Sequence, residues 1–269
     1  MKKLFLSYPG ISRLILGALL TTLALIVSGI LPIPIPRFSE YFPFTGVLLI
    51  VLATGFMYRT ENKNLSALGF DLRPGNLLFL PLGLLLGFAA YFAGFCPVML
   101  MVNGHWRVNP GVNYRSVLQQ LYWVLPAAAV QEFLIRGYCY KKLIELSSVT
   151  TATVVLGLVF IFTHDFWNGG PMQMITYALT LFIGHLMLSA ALLRSGTIYF
   201  AIGIHWGNNF ATGNILPEGS GARSLFVITN STNNSNSSWL YLGVFLVANL
   251  GFIILTVVIW KWRRSRLRG

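Results

Sequence analysis

Glu132 stands four residues before Arg136 in the stretch Ala127-Ala128-Ala129-Val130-Gln131-Glu132-Phe133-Leu134-Ile135-Arg136-Gly137, which is otherwise almost wholly apolar. Residues four apart share one face of a helix, so the two can pair. His164 closes Phe160-Ile161-Phe162-Thr163-His164, and His205 opens His205-Trp206-Gly207-Asn208-Asn209, which puts Asn209 one turn further on the same face. A carboxylate, two imidazoles and an amide form a usable set for hydrolysis. The carboxylate of Glu132 can take a proton from water, and an imidazole can share that task or donate to a leaving amine. The second imidazole with Asn209 can supply donors to a developing oxyanion. Glu132, His164 and His205 could alternatively hold a zinc ion, which would itself acidify the water. Spacing leaves both chemistries open. The Glu132–Arg136 pair taken alone would serve equally well as a helix-positioning ion pair. His185, in Gly184-His185-Leu186-Met187, reads as a hydrogen-bonded packing residue without polar neighbours at helical spacing.

The segments that must carry these groups are membrane helices. Of 269 residues only 10% are charged and 55% are hydrophobic, and the mean hydropathy is +0.69. A soluble domain carries about 25% charged residues, so this chain lacks the polar surface to face water all round. Apolar stretches of the length an α-helix needs to cross the hydrocarbon core recur throughout. They predict an all-α polytopic membrane helix bundle with about eight transmembrane helices: 14–31, 44–58, 77–102, 117–140, 151–166, 173–193, 198–211 and 240–260. The second and seventh are short enough to be tilted or re-entrant. Counted at 1.5 Å per residue from the cytoplasmic ends, Glu132 and His205 lie roughly 13 Å deep and His164 roughly 20 Å. Charged groups at such depths are costly, and they usually line a cavity or pair with one another.

With eight spans both termini share a side. That side holds fourteen of the nineteen basic residues, against Arg37, Arg107, Arg115 and Arg223 opposite and Arg136 within a span. The bias predicts cytoplasmic termini, in a bacterial inner membrane. The net charge of +12 then reports topology and contact with the lipid bilayer rather than a nucleic-acid partner. Cys96 and Cys139 read as reduced packing residues. The chain is expected to be one integral membrane domain over 1–269, with an Asn- and Ser-rich flexible outer loop within 212–238 and a basic cytoplasmic tail at 261–269.

The three motifs resemble those of the CPBP intramembrane proteases, which include type II CAAX prenyl endopeptidases and the Abi or bacteriocin-processing proteins. The family pattern is a Glu-Glu-x-x-x-Arg helix, a Phe-x-x-x-His helix and a His-x-x-x-Asn helix, matched in order by Gln131 to Arg136, Phe160 to His164 and His205 to Asn209. Leu65-Ser66-Ala67-Leu68-Gly69-Phe70 and Arg194-Ser195-Gly196-Thr197-Ile198 add to the likeness, which covers 65–210 as a protease core. The resemblance implies a membrane-associated or leader-bearing protein substrate, with Glu132, His164, His205 and Asn209 as catalytic residues and Gln131, Arg136 and Phe160 in support. The departure is Gln131, which stands where the family has the first glutamate, the one its proposed mechanism uses to activate water. An amide cannot act as that base, so either Glu132 takes over or the protein binds partners without cleaving them. A third reading, a small transporter with a buried proton path, lacks any visible inverted repeat.

Overall fold

A computed structural model describes residues 8–30, 42–167, 169–214, 224–229 and 238–262. Arg37, Arg223, nearly all of the Asn- and Ser-rich stretch and the tail from 263 onward lie outside the described residues. Helix α1 is Pro9–Ile30 and α2 is Thr45–Arg59. After the single 3-10 turn Leu65–Leu68 and the short helix α3 (Pro74–Leu77) comes α4, Phe79–Met101. Then follow α5 (Tyr114–Arg136), α6 (Tyr138–Leu146), α7 (Val149–Phe162), α8 (Pro171–Ser195), α9 (Ile198–Asn214), α10 (Ser238–Ala248) and α11 (Leu250–Lys261).

Exposure runs inside out relative to a soluble protein. Leu19, Leu23 and Ile30 of α1, Leu85 of α4, Leu158 and Phe162 of α7 and Val258 of α11 all face outward, whereas Glu132 and Arg136 are 0% exposed. Among the described residues four segments are long and apolar enough to cross a bilayer: Pro9–Ile30, Pro74–Met101, Pro171–Ser195 and Leu242–Lys261. Thr45–Arg59 and Val149–Phe162 are shorter apolar helices. The protein is an all-α integral membrane bundle, as its composition predicts.

Local signals set the helix ends. The Asn113 side chain accepts the amide of Ser116 to start α5, and Ser148 accepts that of Thr151 to start α7. Helix α8 begins with Pro171, and the Gln173 side chain reaches back to the Gly170 amide at 2.9 Å. It ends at Gly196, whose φ of +73° suits the left-handed stop that glycine alone adopts without strain. Thr197 Oγ then donates to the carbonyl of Gly69 at 2.9 Å. The two accessory matches, 65–70 and 194–198, therefore touch each other.

Three expectations require correction. The span predicted over 117–140 is two helices, because the backbone turns out of helical geometry at Gly137, with ψ of −130°. A Cβ there would lie within 3.0 Å of the Phe133 carbonyl, so the break and the glycine belong together. The span predicted to Phe166 stops at Phe162, leaving His164 in the turn beyond. Cys96 is exposed rather than packed, while Cys139 is buried. The alternation around Trp106 also conceals a strand. His105–Val108 (β1) pairs antiparallel with Phe226–Thr229 (β2), in the register Trp106 to Ile228 and Val108 to Phe226.

Helix α9 is held against α4 along a seam of glycines. A Cβ on Gly83 or Gly87 of α4, or on Gly203 or Gly207 of α9, would fall within 3.0 Å of backbone atoms of the facing helix. Such contact lets the two backbones touch directly, which is how apolar helices gain packing energy where lipid offers no hydrophobic drive. It also places His205 and Asn209 on a helix whose position is fixed along its length.

Candidate active site

The C-terminal end of α5 meets α7, α8 and α9 around the ring of Phe160. Arg136 Nη1 donates to both carboxylate oxygens of Glu132, each at 3.0 Å. His205 Nδ1 lies 2.7 Å from Glu132 Oε1. A carboxylate flanked by a guanidinium is ionised and can only accept, so this nitrogen carries the proton. In a neutral imidazole so placed, the other ring nitrogen, Nε2, is the one with a free lone pair. Arg136 Nη2 turns to His185, 2.7 Å from Nδ1 and 3.1 Å from the carbonyl oxygen. Ser189 Oγ is 3.2 Å from His185 Nε2. The guanidinium also sits 5.3 Å from the Phe160 centroid. Three imidazoles, those of His164, His185 and His205, surround the same ring at 4.7, 5.7 and 6.1 Å.

Beside this cluster opens a cavity of 970 Å³. Gln131, Phe160, His164, Asp165, His205, Asn208 and Asn209 line one part of it, and Tyr91, Phe95, Phe245 and Phe252 form an apolar wall. Glu132 is absent from the lining. The ambiguity of Gln131-Glu132 thus has a geometric answer: along the helix the two side chains diverge by about 100°, and the glutamine takes the cavity face. Its Oε1 is buried without a hydrogen-bond partner among the described residues. His164 does not join the Glu132 network. Its Nδ1 lies 3.0 Å from the Phe160 carbonyl and 3.1 Å from Thr163 Oγ. A carbonyl only accepts, so Nδ1–H donates to it and His164 Nε2 is left with the lone pair. Asn209 Oδ1 accepts at 3.4 Å from Asn208 Nδ2.

The zinc reading fits poorly. Glu132 spends both oxygens on Arg136 and His205, and the guanidinium occupies the space a cation would need. Among the described residues no group of three or more His, Cys, Asp or Glu is placed to hold a metal ion.

Sequence reading misses two participants and misjudges a third. His185 does have a polar neighbour at helical spacing, Ser189 one turn on, and it contacts Arg136 besides. The i, i+4 spacing of His185 and Ser189 inside an apolar helix is the signal that points to it. Asn208 and Asp165, each adjacent to a motif residue, also line the cavity.

Residues 113–211 match the family model described as type II CAAX prenyl endopeptidase Rce1-like. The match runs from the cap of α5 to α9 and contains every candidate residue, so the resemblance carried by the three motifs is borne out: this segment is similar to CAAX-type intramembrane proteases. No curated protein and no solved structure matches the chain.

Proposed function

With a segment similar to CAAX proteases at the centre of a membrane bundle, we propose that the protein is an intramembrane endopeptidase in which His205, oriented by Glu132, is the base. The observation that carries this reading is the 2.7 Å contact of His205 Nδ1 with a fully buried carboxylate, while His205 itself lines the cavity. Glu132 cannot reach cavity water, but it can hold the imidazole in one tautomer and stabilise the imidazolium formed during reaction. His205 Nε2 takes the proton from water as the oxygen attacks the scissile carbonyl. The C–N bond then breaks, and the same proton passes to the departing amine. Once the tetrahedral oxyanion forms, Asn208 and Asn209 offer amide N–H groups to it. Gln131 borders the water position and His164 Nε2 offers it a second acceptor. Every proton in this sequence is held by a side chain of the cavity or its immediate support.

The substrate would be a membrane-associated, leader-bearing or lipid-modified protein, met near the bilayer surface, with both termini of the protease cytoplasmic. The test is purified protein in lipid nanodiscs with a panel of membrane-anchored fluorogenic peptides, one of them carrying a C-terminal farnesyl group. Cleavage should fall by about 10² or more in His205→Ala and remain measurable in His105→Ala. Equal cleavage in wild type, His205→Ala and Glu132→Gln would refute it.

One observation favours a second reading, a binder that does not cleave: Gln131 occupies the cavity face where the family pattern has a glutamate. On that reading the wild type retains peptides without hydrolysis. Gln131→Glu would then leave both binding and inactivity unchanged.

A further inference from the structure

We propose that His185 is a positioning residue that holds the His205 tautomer through Arg136 and Glu132, a role that rests on His205 being the base. A guanidinium has five N–H donors and no acceptor. The imidazole nitrogen 2.7 Å from Arg136 Nη2 must therefore present its lone pair. The ring proton is on Nε2, which lies 3.2 Å from Ser189 Oγ, and the Thr153 carbonyl also accepts from the ring. A protonated His185 would set two cations face to face with no anion between them, so the ring is held neutral and in one tautomer.

The consequence runs along the chain Ser189, His185, Arg136, Glu132, His205, every member of which is at most 4% exposed. Arg136 is anchored on opposite sides: Nη2 by the ring and carbonyl of His185, Nη1 by the Glu132 fork. That double anchorage fixes the plane of the guanidinium. The guanidinium in turn fixes the carboxylate, whose Oε1 accepts from His205 Nδ1. Removing the His185 acceptor leaves Nη2 with one carbonyl and lets the guanidinium rotate. The Glu132 carboxylate follows, and His205 loses the acceptor that selects Nδ1–H over Nε2–H. Bulk is not what matters here. The atom facing Arg136 is.

Nitrogen-15 spectra of histidine-labelled protein in lipid read the tautomer directly, and His205→Ala assigns the His205 signals by difference. Wild type should show a protonated Nδ1 and an unprotonated Nε2. In His185→Leu the tautomer ratio of His205 should fall about tenfold, the worth of one charge-assisted hydrogen bond. His185→Asn puts an amide oxygen close to the Nδ1 position and should restore the wild-type pattern. An unchanged His205 spectrum in folded His185→Leu overturns the proposal, as does failure of His185→Asn to restore an altered one. Should His185→Leu fail to fold, His185→Met removes the acceptor facing Arg136 with a more adaptable side chain; a mixed His205 pattern supports the role and an unaltered one overturns it. The spectra need no substrate, so they would report the influence of His185 on His205 even in a protein that proved unable to cleave.

Discussion

Removing Arg136 is the sharpest perturbation available. The side chain is 0% exposed, donates to both Glu132 oxygens at 3.0 Å, and contacts His185 twice. Arg136→Leu conserves most of the volume but leaves an anionic carboxylate fully buried with only the His205 N–H. Breaking one side of a buried pair costs about 3–5 kcal/mol, because the remaining charge is uncompensated. Glu132→Leu should cost a similar amount by stranding the guanidinium. The double variant Glu132→Leu/Arg136→Leu removes both charges, and replacing a whole buried pair by apolar groups is often near neutral. It still leaves His205 Nδ1–H and the His185 ring unpaired, at about 1–3 kcal/mol each. The double variant should therefore be about as stable as either single one, with a coupling energy on the order of 3 kcal/mol. Equilibrium unfolding of the four proteins in mixed micelles closes the cycle. Additive losses, or a loss under about 1 kcal/mol for Arg136→Leu, would refute the claim that these charges are buried and mutually dependent.

The seam between α4 and α9 makes a second prediction. Gly207→Ala drives a methyl group into the facing backbone and should cost about 1–3 kcal/mol, measured as a lowered thermal midpoint, and should also weaken any peptide cleavage by displacing His205 and Asn209. Gly69→Ala meets both a φ of +60° and the Gly196 carbonyl; it should lose at least about 1 kcal/mol in the same assay. A pH prediction concerns the start of α6, where Lys142 bridges Glu61 at 2.6 Å and Glu145 at 2.5 Å, Lys63 bonds Glu145 at 2.8 Å, and Tyr138 donates to Glu61 at 2.5 Å. Burial pushes Glu61 up, but the Lys142 and Tyr138 hydrogen bonds with the Lys63 charge outweigh it and hold the carboxyl below its ordinary value; the Lys142 and Lys63 bonds do the same to Glu145. A lowered carboxylate contributes stability above its unfolded value and loses it as pH falls through the folded one. Acid should thus loosen the contact of α6 with the turn after α2, and Lys142→Met should flatten the stability profile below about pH 5; a profile identical to wild type would count against the bridge. Gln131→Glu should raise turnover if hydrolysis is limited by water activation, and a continuous fluorogenic assay decides it.

Much of this molecule can be read in its residues, for identifiable reasons. Charge scarcity and apolar run length report the solvent, so the bundle is evident without any motif. Helical spacing brings Glu132 to Arg136, and the structure makes that pair. Spacing fails where a contact joins different helices. Nothing local tells Glu132 from Gln131 as the cavity-facing residue, since that depends on how α5 is rotated against α7 and α9. The contact of His205 with Glu132 spans 73 positions. The break at Gly137 is hidden because the residues after it, Tyr138-Cys139-Tyr140, are apolar enough to extend the span. His185 is undervalued for a similar reason, its main partner being on another helix.

Phe160 has a consequence beyond its place in a motif. Its ring touches the charged cluster on one side and lines the cavity on the other, so it acts as a partition between the two. A smaller residue there would let water through to the carboxylate and guanidinium, and their attraction would weaken with hydration. The cavity and the buried ion pair therefore share Phe160 as one of their walls. Neither can be reshaped by mutation at that position without altering the other.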